Sequence, residues 1–206
     1  MKRIGLLGGT FDPIHKGHLI LAENAYRQLE LDKVVLLVSP DPPHKKDKKV
    51  SDFKHRYNMA LLASEGKDFL EVSDFETTLA QPSYTVNTLK ALKDLYPENR
   101  YYFIIGEDSL DAIERWYHPE EILQMTHLIV AVRDEEDDDK TIEEQSSYLQ
   151  AKYNAKIHLL KSDYVNISST AIRNAVYAKE AIDEYVPEKV ADYIWKENLY
   201  TKSEKN

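Results

Sequence analysis

The sequence of 206 residues contains no cysteine, which excludes disulfide bonds and metal sites built from thiolates. No apolar run approaches the roughly 20 residues that a membrane-spanning helix needs. Basic residues are outnumbered, since 27 Lys and Arg stand against 36 Asp and Glu, and the net charge is -9. That balance argues against a nucleic-acid-binding protein, which is usually basic. We therefore expect a cytoplasmic protein with neither nucleic acid nor membrane as a partner.

Hydrophobic residues make up 42% of the chain, a proportion typical of globular proteins. Near-continuous apolar runs occur at residues 4–7, 34–38, 101–105 and 128–132. Such runs are expected for strands that are buried on both faces of a parallel sheet. Weaker strand patterns lie at residues 70–73 and 157–160. We predict six strands.

Helical patterns alternate with these strands. The spacing of Leu19, Ala22, Tyr26 and Leu29 predicts a helix after the first strand. Further helices are predicted at residues 51–64 with Ser51 as the cap, 83–95 with Ser83 or Thr85 as the cap, 109–115, 169–179, and 188–198 after Pro187 at the first helical position. The alternation predicts an α/β fold, a Rossmann-like parallel sheet with helices on both faces. Residues 1–200 are expected to form a single domain and residues 201–206 a disordered tail.

The most informative stretch is GGTFDPIHKGH at residues 8–18, between the first strand and the first helix. Its two glycines allow a sharp turn and a close approach of the backbone to a ligand. Gly17 and His18 begin the helix, so that free N–H groups and the positive end of the helix dipole face the ligand. His15 and His18 can reach one point and are favoured as cations beside a phosphate. These features predict a triphosphate site; a zinc site of His15, His18 and Asp12 is the alternative.

Residues 8–18 resemble the HxGH signature of nucleotidyltransferases related to class I aminoacyl-tRNA synthetases, in the full form of bacterial nicotinate mononucleotide adenylyltransferases. The segment ISSTAIR at residues 167–173 is similar to the ISSTxIR segment of that family. The resemblance covers residues 4–200. It implies the nucleotidyltransferase (HUP-type) topology and transfer of AMP from ATP to nicotinate mononucleotide, giving nicotinate adenine dinucleotide and pyrophosphate in NAD biosynthesis. It also implies Mg²⁺ bound with ATP and no protein metal ligand.

The resemblance also assigns site residues. The residues implied in catalysis are His15, His18, Lys45 and Arg173. Those implied in ATP binding are Gly8, Gly9, Thr10, Phe11, Gly17, Gly106, Asp108, Ile167, Ser168 and Ser169. Those implied in acceptor binding are His44, Ser83, Tyr84, Thr85, Trp116 and Tyr117.

Elementary chemistry supports several of these roles. Arg173 lies one helical turn after Ser169, where a guanidinium can bond two phosphate oxygens at once. Trp116 can stack on a cationic pyridinium, although a tryptophan between helices is more often part of the core. The backbone N–H of Thr85, at the start of a helix, suits a carboxylate.

Other interpretations stay open. The acceptor can be nicotinamide mononucleotide or phosphopantetheine, and cytidylyl transfer is a more distant option. A catalytically silent nucleotide sensor can share the same fold. Two departures from the family pattern are Glu107, where a small residue is usual, and the acidic run at residues 134–139, for which we expect a solvated loop. The sequence leaves open whether the chain forms a homo-oligomer.

Overall fold

The computed structural model describes residues 1–41, 50–132, 139–161 and 167–201, with only the backbone of residues 139–141. The strands are β1 (Arg3–Gly9), β2 (Lys33–Val38), β3 (Leu70–Ser73), β4 (Arg100–Gly106), β5 (His127–Val132) and β6 (Lys156–Lys161). They form one parallel sheet in the order β3-β2-β1-β4-β5-β6. The strand order reverses between β1 and β4, which confirms the predicted Rossmann-like architecture.

Helices cover both faces of the sheet. In the described ranges they are α1 (Lys16–Gln28), α2 (Phe53–Ser64), α3 (Thr85–Leu95), α4 (Glu107–Ala112), α5 (Pro119–Met125), α6 (Asp139–Tyr153), α7 (Ser169–Tyr177) and α8 (Glu188–Lys196). Helices α1, α2, α7 and α8 pack on one face, and α3 to α6 pack on the other. Across the described ranges, no helix combines the length and apolar character needed to span a membrane.

Strand β4 shows why the central strands have almost entirely apolar sequences. Tyr102 and Ile104 belong to the core under α1, whereas Tyr101, Phe103 and Ile105 belong to the core on the opposite face. All five side chains are buried, because successive side chains of a strand point to opposite faces and both faces are covered.

The predicted face of α1 is confirmed. Leu19, Ala22 and Leu29 are buried in the core on that side, and Tyr26 packs against the same cluster. The helix itself begins at Lys16, one residue before Gly17, and His15 is its N-cap residue. Helix α1 therefore places the two motif histidines at its first turn.

Three of the predicted helix starts are wrong in detail. Ser51 does not cap α2; Asp52 does, since its carboxylate accepts from the backbone N–H of Lys54 at 3.0 Å. Helix α3 has Tyr84 as its N-cap residue and no side-chain cap. Pro187 is the N-cap residue of α8 rather than its first helical residue.

The other differences concern weak helical patterns. The segment predicted as one helix at residues 109–115 is α4 followed by a 3-10 helix, Ile113–Arg115. Helices α5 and α6 were not predicted, because α5 has seven residues and α6 buries few apolar side chains, Ile142 and Leu149 among them. Residues 134–138 of the acidic run lie outside the described ranges, whereas Asp139 begins α6.

Candidate active site

A cleft of about 670 Å³ opens at the carboxyl ends of β1 and β4, where the strand order reverses. Open parallel sheets bind their ligands at this position. Among the residues assigned from the sequence, those that line the cleft are Gly8, Gly9, Thr10, His18, Ser83, Tyr84, Thr85, Gly106, Trp116 and Tyr117. The fold thus brings the first motif together with the segments assigned to the acceptor.

The remaining assigned residues do not line this cleft. They are Phe11, His15, Gly17, Asp108, Ile167, Ser168, Ser169 and Arg173. His44 and Lys45 lie outside the described residues. The Phe11 side chain is buried in the core, and Asp108 is exposed in the first turn of α4.

The two motif glycines do not form the sharp turn expected from the sequence. Gly8 and Gly9 continue β1, and the chain bends at Phe11, which has a φ of 50°. A Cβ on Gly9 would lie 2.8 Å from the ring of Phe11, which is only 2% exposed. Gly9 is therefore needed so that the Phe11 ring can pack beneath the loop, and a bend at a left-handed residue replaces the expected glycine turn.

His15 and His18 stack on each other at the start of α1. Their ring centroids are 3.7 Å apart, and the backbone N–H of His15 donates to Nδ1 of His18 at 3.2 Å. Because Nδ1 accepts a hydrogen bond, the neutral His18 ring carries its hydrogen on Nε2. His18 lines the cleft, so the N–H group at Nε2 can donate a hydrogen bond to a phosphate oxygen there.

Burial keeps the side chain of His15 in its neutral form. Its side chain is 7% exposed, and burial lowers its pKa from 6.5 to about 4. Within the described residues, the buried Nδ1 atom has no hydrogen-bond partner. A bound phosphate that converts His15 to a cation must therefore overcome the desolvation of the ring.

The segment ISSTAIR docks directly on the first motif. Ser168 caps α7, and the hydroxyl of Ser169 donates to the backbone carbonyl of Pro13 at 2.9 Å. The guanidinium of Arg173 donates from Nη1 to the backbone carbonyl of Asp12 at 2.8 Å. The N-terminal end of α7 and the loop before α1 therefore meet in one polar region.

Asp12 organises that region through both carboxylate oxygens. Oδ2 accepts the backbone N–H of Ser51 at 3.1 Å, and Oδ1 accepts the hydroxyl of Tyr200 at 2.7 Å. Burial, with the charge of Asp12 beside it, raises the pKa of Tyr200, so the phenol stays protonated and donates. These bonds give Asp12 a structural role. Among the described residues, the ligand atoms of His15, His18 and Asp12 do not lie close enough together to form a metal-binding group, which argues against the zinc alternative.

Arg56 joins the loops that follow β1 and β2. Its guanidinium, on a residue only 1% exposed, donates to the backbone carbonyls of Thr10 at 2.8 Å, Ser39 at 2.7 Å and Ser51 at 2.9 Å. Arg56 is not among the site residues predicted from the sequence, although it lies three positions before buried Met59, on the buried face of α2. An arginine on the apolar face of a helix is a signal that buried carbonyls accept from it.

Aromatic side chains dominate the acceptor end of the cleft. Trp116 is half-buried and packs edge-on against Phe103, with ring centroids 6.1 Å apart. The rings of Tyr84 and Tyr117 lie 4.6 Å apart across the cleft lining. Trp116 therefore contacts the core on one side and the cleft on the other, which suits a stacking surface.

Two ionisable side chains in the cleft lining were not found from the sequence: Glu76 and Arg115. Glu76 is 7% exposed, its Oε1 atom accepts from the hydroxyl of Thr88 at 2.7 Å, and burial raises its pKa. Arg115 is exposed and directly precedes Trp116. Neither residue lies in a stretch with a distinctive pattern, so only the fold reveals that they share the cleft.

The chain is similar to curated proteins over nearly its full length. The sequence model of the cytidylyltransferase-like family matches residues 6–175. A protein from Lachnoclostridium phytofermentans, described as a "probable nicotinate-nucleotide adenylyltransferase", is 38% identical over 200 residues, which cover 97% of this chain and 100% of that protein. A protein from a Thermoanaerobacter species with the same description is 39% identical over 205 residues, covering 99% and 97%.

Solved structures have the same fold. The nicotinic acid mononucleotide adenylyltransferase of Plasmodium falciparum, complexed with NaAD, matches with a TM-score of 0.79 at 22% identity, covering 98% of this chain and 99% of that one. The same protein complexed with APC gives a TM-score of 0.78. At this level of identity, the similarity concerns the arrangement of the sheet and its helices.

Proposed function

The chain belongs to the cytidylyltransferase-like family and to the nicotinate-nucleotide adenylyltransferases, and from that premise we propose that it transfers AMP from ATP to nicotinate mononucleotide. The products are nicotinate adenine dinucleotide and pyrophosphate, and the reaction is a step of NAD synthesis. One observation supports this most strongly. The ISSTAIR segment binds the HxGH loop beside the cleft, because Nη1 of Arg173 donates to the backbone carbonyl of Asp12 at 2.8 Å.

The reaction needs alignment of two anions more than it needs a base. The acceptor phosphate is mostly a dianion at pH 7, because its second pKa is about 6. An oxygen of this phosphate attacks the α-phosphorus of ATP, a new P–O bond forms, and the bond to the β-phosphate breaks as pyrophosphate leaves. The protein has to hold both reactants in line and stabilise the charge that develops on the leaving pyrophosphate.

We assign that stabilisation to groups at the meeting point of the two motifs. His18 would donate from Nε2 to a phosphate oxygen, and the guanidinium of Arg173 would add its positive charge. The N-terminal ends of α1 and α7 add backbone N–H groups and positive dipole ends, with Ser168 and Ser169 at the start of α7. For Lys45 and His44, the roles implied by the family resemblance stay predictions.

The two substrates would occupy different parts of the cleft. ATP would lie against the backbone of Gly8, Gly9, Thr10 and Gly106, with Asp108 accepting from a ribose hydroxyl. The pyridinium of the acceptor would stack on Trp116, because a cation over an indole face is favourable. The backbone N–H groups of Thr85 and Tyr117 would bind the ring substituent.

The cleft suits a magnesium ion that is bound with ATP rather than held by a protein cage. Of the described residues that line the cleft, Glu76 supplies a carboxyl group, and Thr88 already bonds one of its oxygens. Mg²⁺ usually keeps several waters and binds substrate phosphates. We therefore propose that Mg²⁺ neutralises phosphate charge when bound and that no side chain of the described residues ligates it.

The test is pyrophosphate release from ATP and Mg²⁺ with three acceptors, each varied in concentration. A kcat/KM highest for nicotinate mononucleotide supports the proposal, and mass spectrometry should then identify nicotinate adenine dinucleotide. A preference for nicotinamide mononucleotide or phosphopantetheine would replace the acceptor but keep adenylyl transfer. ATP binding without turnover on any acceptor would indicate a silent sensor. Because the substrates are multiply charged and cross membranes poorly, we propose that the reaction takes place in the cytoplasm.

A further inference from the structure

We propose that Arg115 is a specificity-determining residue, whose guanidinium binds the ring carboxylate of the acceptor. The proposal rests on the proposed function and names the group that separates an acidic acceptor from its neutral amide counterpart. The backbone N–H groups assigned to the ring substituent favour the acid, because both carboxylate oxygens accept from them, whereas an amide turns an NH₂ donor toward one of them. A guanidinium would add to this preference, since it attracts the charged acid and not the neutral amide.

Arg115 supplies a fixed positive charge in the cleft. The protein carries a net charge of -9, yet both substrates are anions. Among the described residues that line the cleft, Arg115 is the one lysine or arginine. His18, which also lines it, accepts a hydrogen bond at Nδ1, and its charge depends on protonation, whereas a guanidinium is always charged.

The position of Arg115 is at the acceptor end of the cleft. It ends the 3-10 helix Ile113–Arg115 and directly precedes Trp116. The packing of Trp116 against Phe103, and of Tyr117 against Tyr84, fixes the two residues that follow it. A pyridine ring stacked on Trp116 would thus have its substituent within the region that a flexible arginine side chain samples.

The preceding glutamate does not neutralise Arg115. Glu114 accepts instead from Nζ of Lys152 at 2.8 Å and from the hydroxyl of Tyr153 at 2.8 Å. Within the described ranges, no hydrogen bond or ion pair joins the Arg115 guanidinium to another side chain. Its five N–H donors are therefore available to a carboxylate, which they can bind through two parallel hydrogen bonds.

Arg115 distinguishes the two acceptors by charge. Glu76 is the acidic side chain in the described lining of the cleft, and its burial raises its pKa and favours the neutral form. An acceptor carboxylate gains the attraction of the guanidinium, whereas a neutral amide gains no comparable attraction.

The experiment compares kcat/KM for nicotinate mononucleotide and nicotinamide mononucleotide in the wild type and in Arg115→Gln. We expect the ratio of the two values to fall by about tenfold or more, a factor equivalent to about 1.4 kcal/mol. Arg115→Lys should recover part of the ratio, since it keeps the charge but loses the paired hydrogen bonds. Arg27→Gln removes the same charge from an arginine whose side chain is 72% exposed near the end of α1 and should leave the ratio unchanged.

An equal loss with both acceptors in Arg115→Gln would overturn the proposal, because Arg115 would then serve the shared phosphate or the fold. An unchanged ratio would overturn it too. If turnover of the neutral acceptor is too slow to measure, the ratio of dissociation constants from calorimetry replaces the kinetic one. Neither failure touches the proposed function, which depends on wild-type turnover of nicotinate mononucleotide.

Discussion

Arg173 donates a hydrogen bond from Nη1 to the backbone carbonyl of Asp12 at 2.8 Å, across 161 positions of the sequence. The hydroxyl of Ser169 bonds the neighbouring carbonyl of Pro13 at 2.9 Å. Helix α7 is thus fastened to the loop before α1, and two helix N-terminal ends come to face one region. The proposed phosphate site exists only because these two distant segments are joined.

Arg173→Lys should lower kcat/KM by about 10- to 100-fold, because one ammonium group cannot bond both Asp12 and a phosphate as a guanidinium can. Steady-state kinetics with ATP as the varied substrate measures this loss. Arg27→Lys is the matched control, since Arg27 is a surface residue of α1 that pairs with Glu23. Equal kinetics in the two variants would mean that Arg173 only supports the loop.

Tyr200→Phe should destabilise the fold by about 1–3 kcal/mol, because it removes a donor from the buried carboxylate of Asp12. The free energy of unfolding from urea titrations measures the effect. The control is Tyr177→Phe, which removes a hydroxyl group from a residue that is 54% exposed. If both variants were equally stable, the bond between Tyr200 and Asp12 would contribute nothing.

The burial of His15 predicts that the protein loses stability in acid. In the unfolded chain the ring takes up a proton near pH 6.5, whereas the folded protein holds the pKa at about 4. Stability is therefore full above pH 6.5 and falls as the pH drops from 6.5 to 4, because the unfolded state binds the extra proton.

From pH 7 to pH 5, His15 alone should cost about 2 kcal/mol of unfolding free energy. Urea unfolding of the wild type and of His15→Gln at both values isolates this contribution, because the other histidines are common to both proteins. The wild type should lose about 2 kcal/mol more than the variant. The same loss in both proteins would contradict a neutral, buried His15.

Trp116→Ala should raise KM for the acceptor by about tenfold while changing KM for ATP little, since stacking of a cation on an indole contributes about 1–2 kcal/mol. Trp195→Ala, which removes the second tryptophan from the surface of α8, is the control for folding and should leave both KM values unchanged. Loss of the cooperative unfolding transition in Trp116→Ala alone would instead assign this residue to the core.

The sheet could be predicted from the sequence because the four central strands β1, β2, β4 and β5 are largely buried on both faces and form apolar runs in the sequence, whereas the edge strands β3 and β6 give weaker patterns. Helix α6 was not predicted because its largely polar sequence shows little apolar periodicity. The predicted glycine turn was wrong because the chain bends at Phe11, and Gly9 is required instead to leave room for the Phe11 ring.

The site could be predicted where its residues lie in contiguous motifs. His18, Thr85 and Trp116 reach the cleft because each lies in the first turn of a helix or directly after one. Arg115 and Tyr200 could not be found in this way. Their importance comes from contacts or positions created by tertiary packing, which no spacing along the chain encodes.

The most direct test compares formation of nicotinate adenine dinucleotide by the wild type and His18→Ala, at saturating ATP and nicotinate mononucleotide. If His18 stabilises charge on the reacting phosphates, kcat should fall by about 100-fold or more, with a much smaller change in KM for ATP. Circular dichroism should confirm that the variant is folded. An unchanged kcat would contradict the proposal that the HxGH loop and the segment joined to it by Arg173 carry the transfer of AMP.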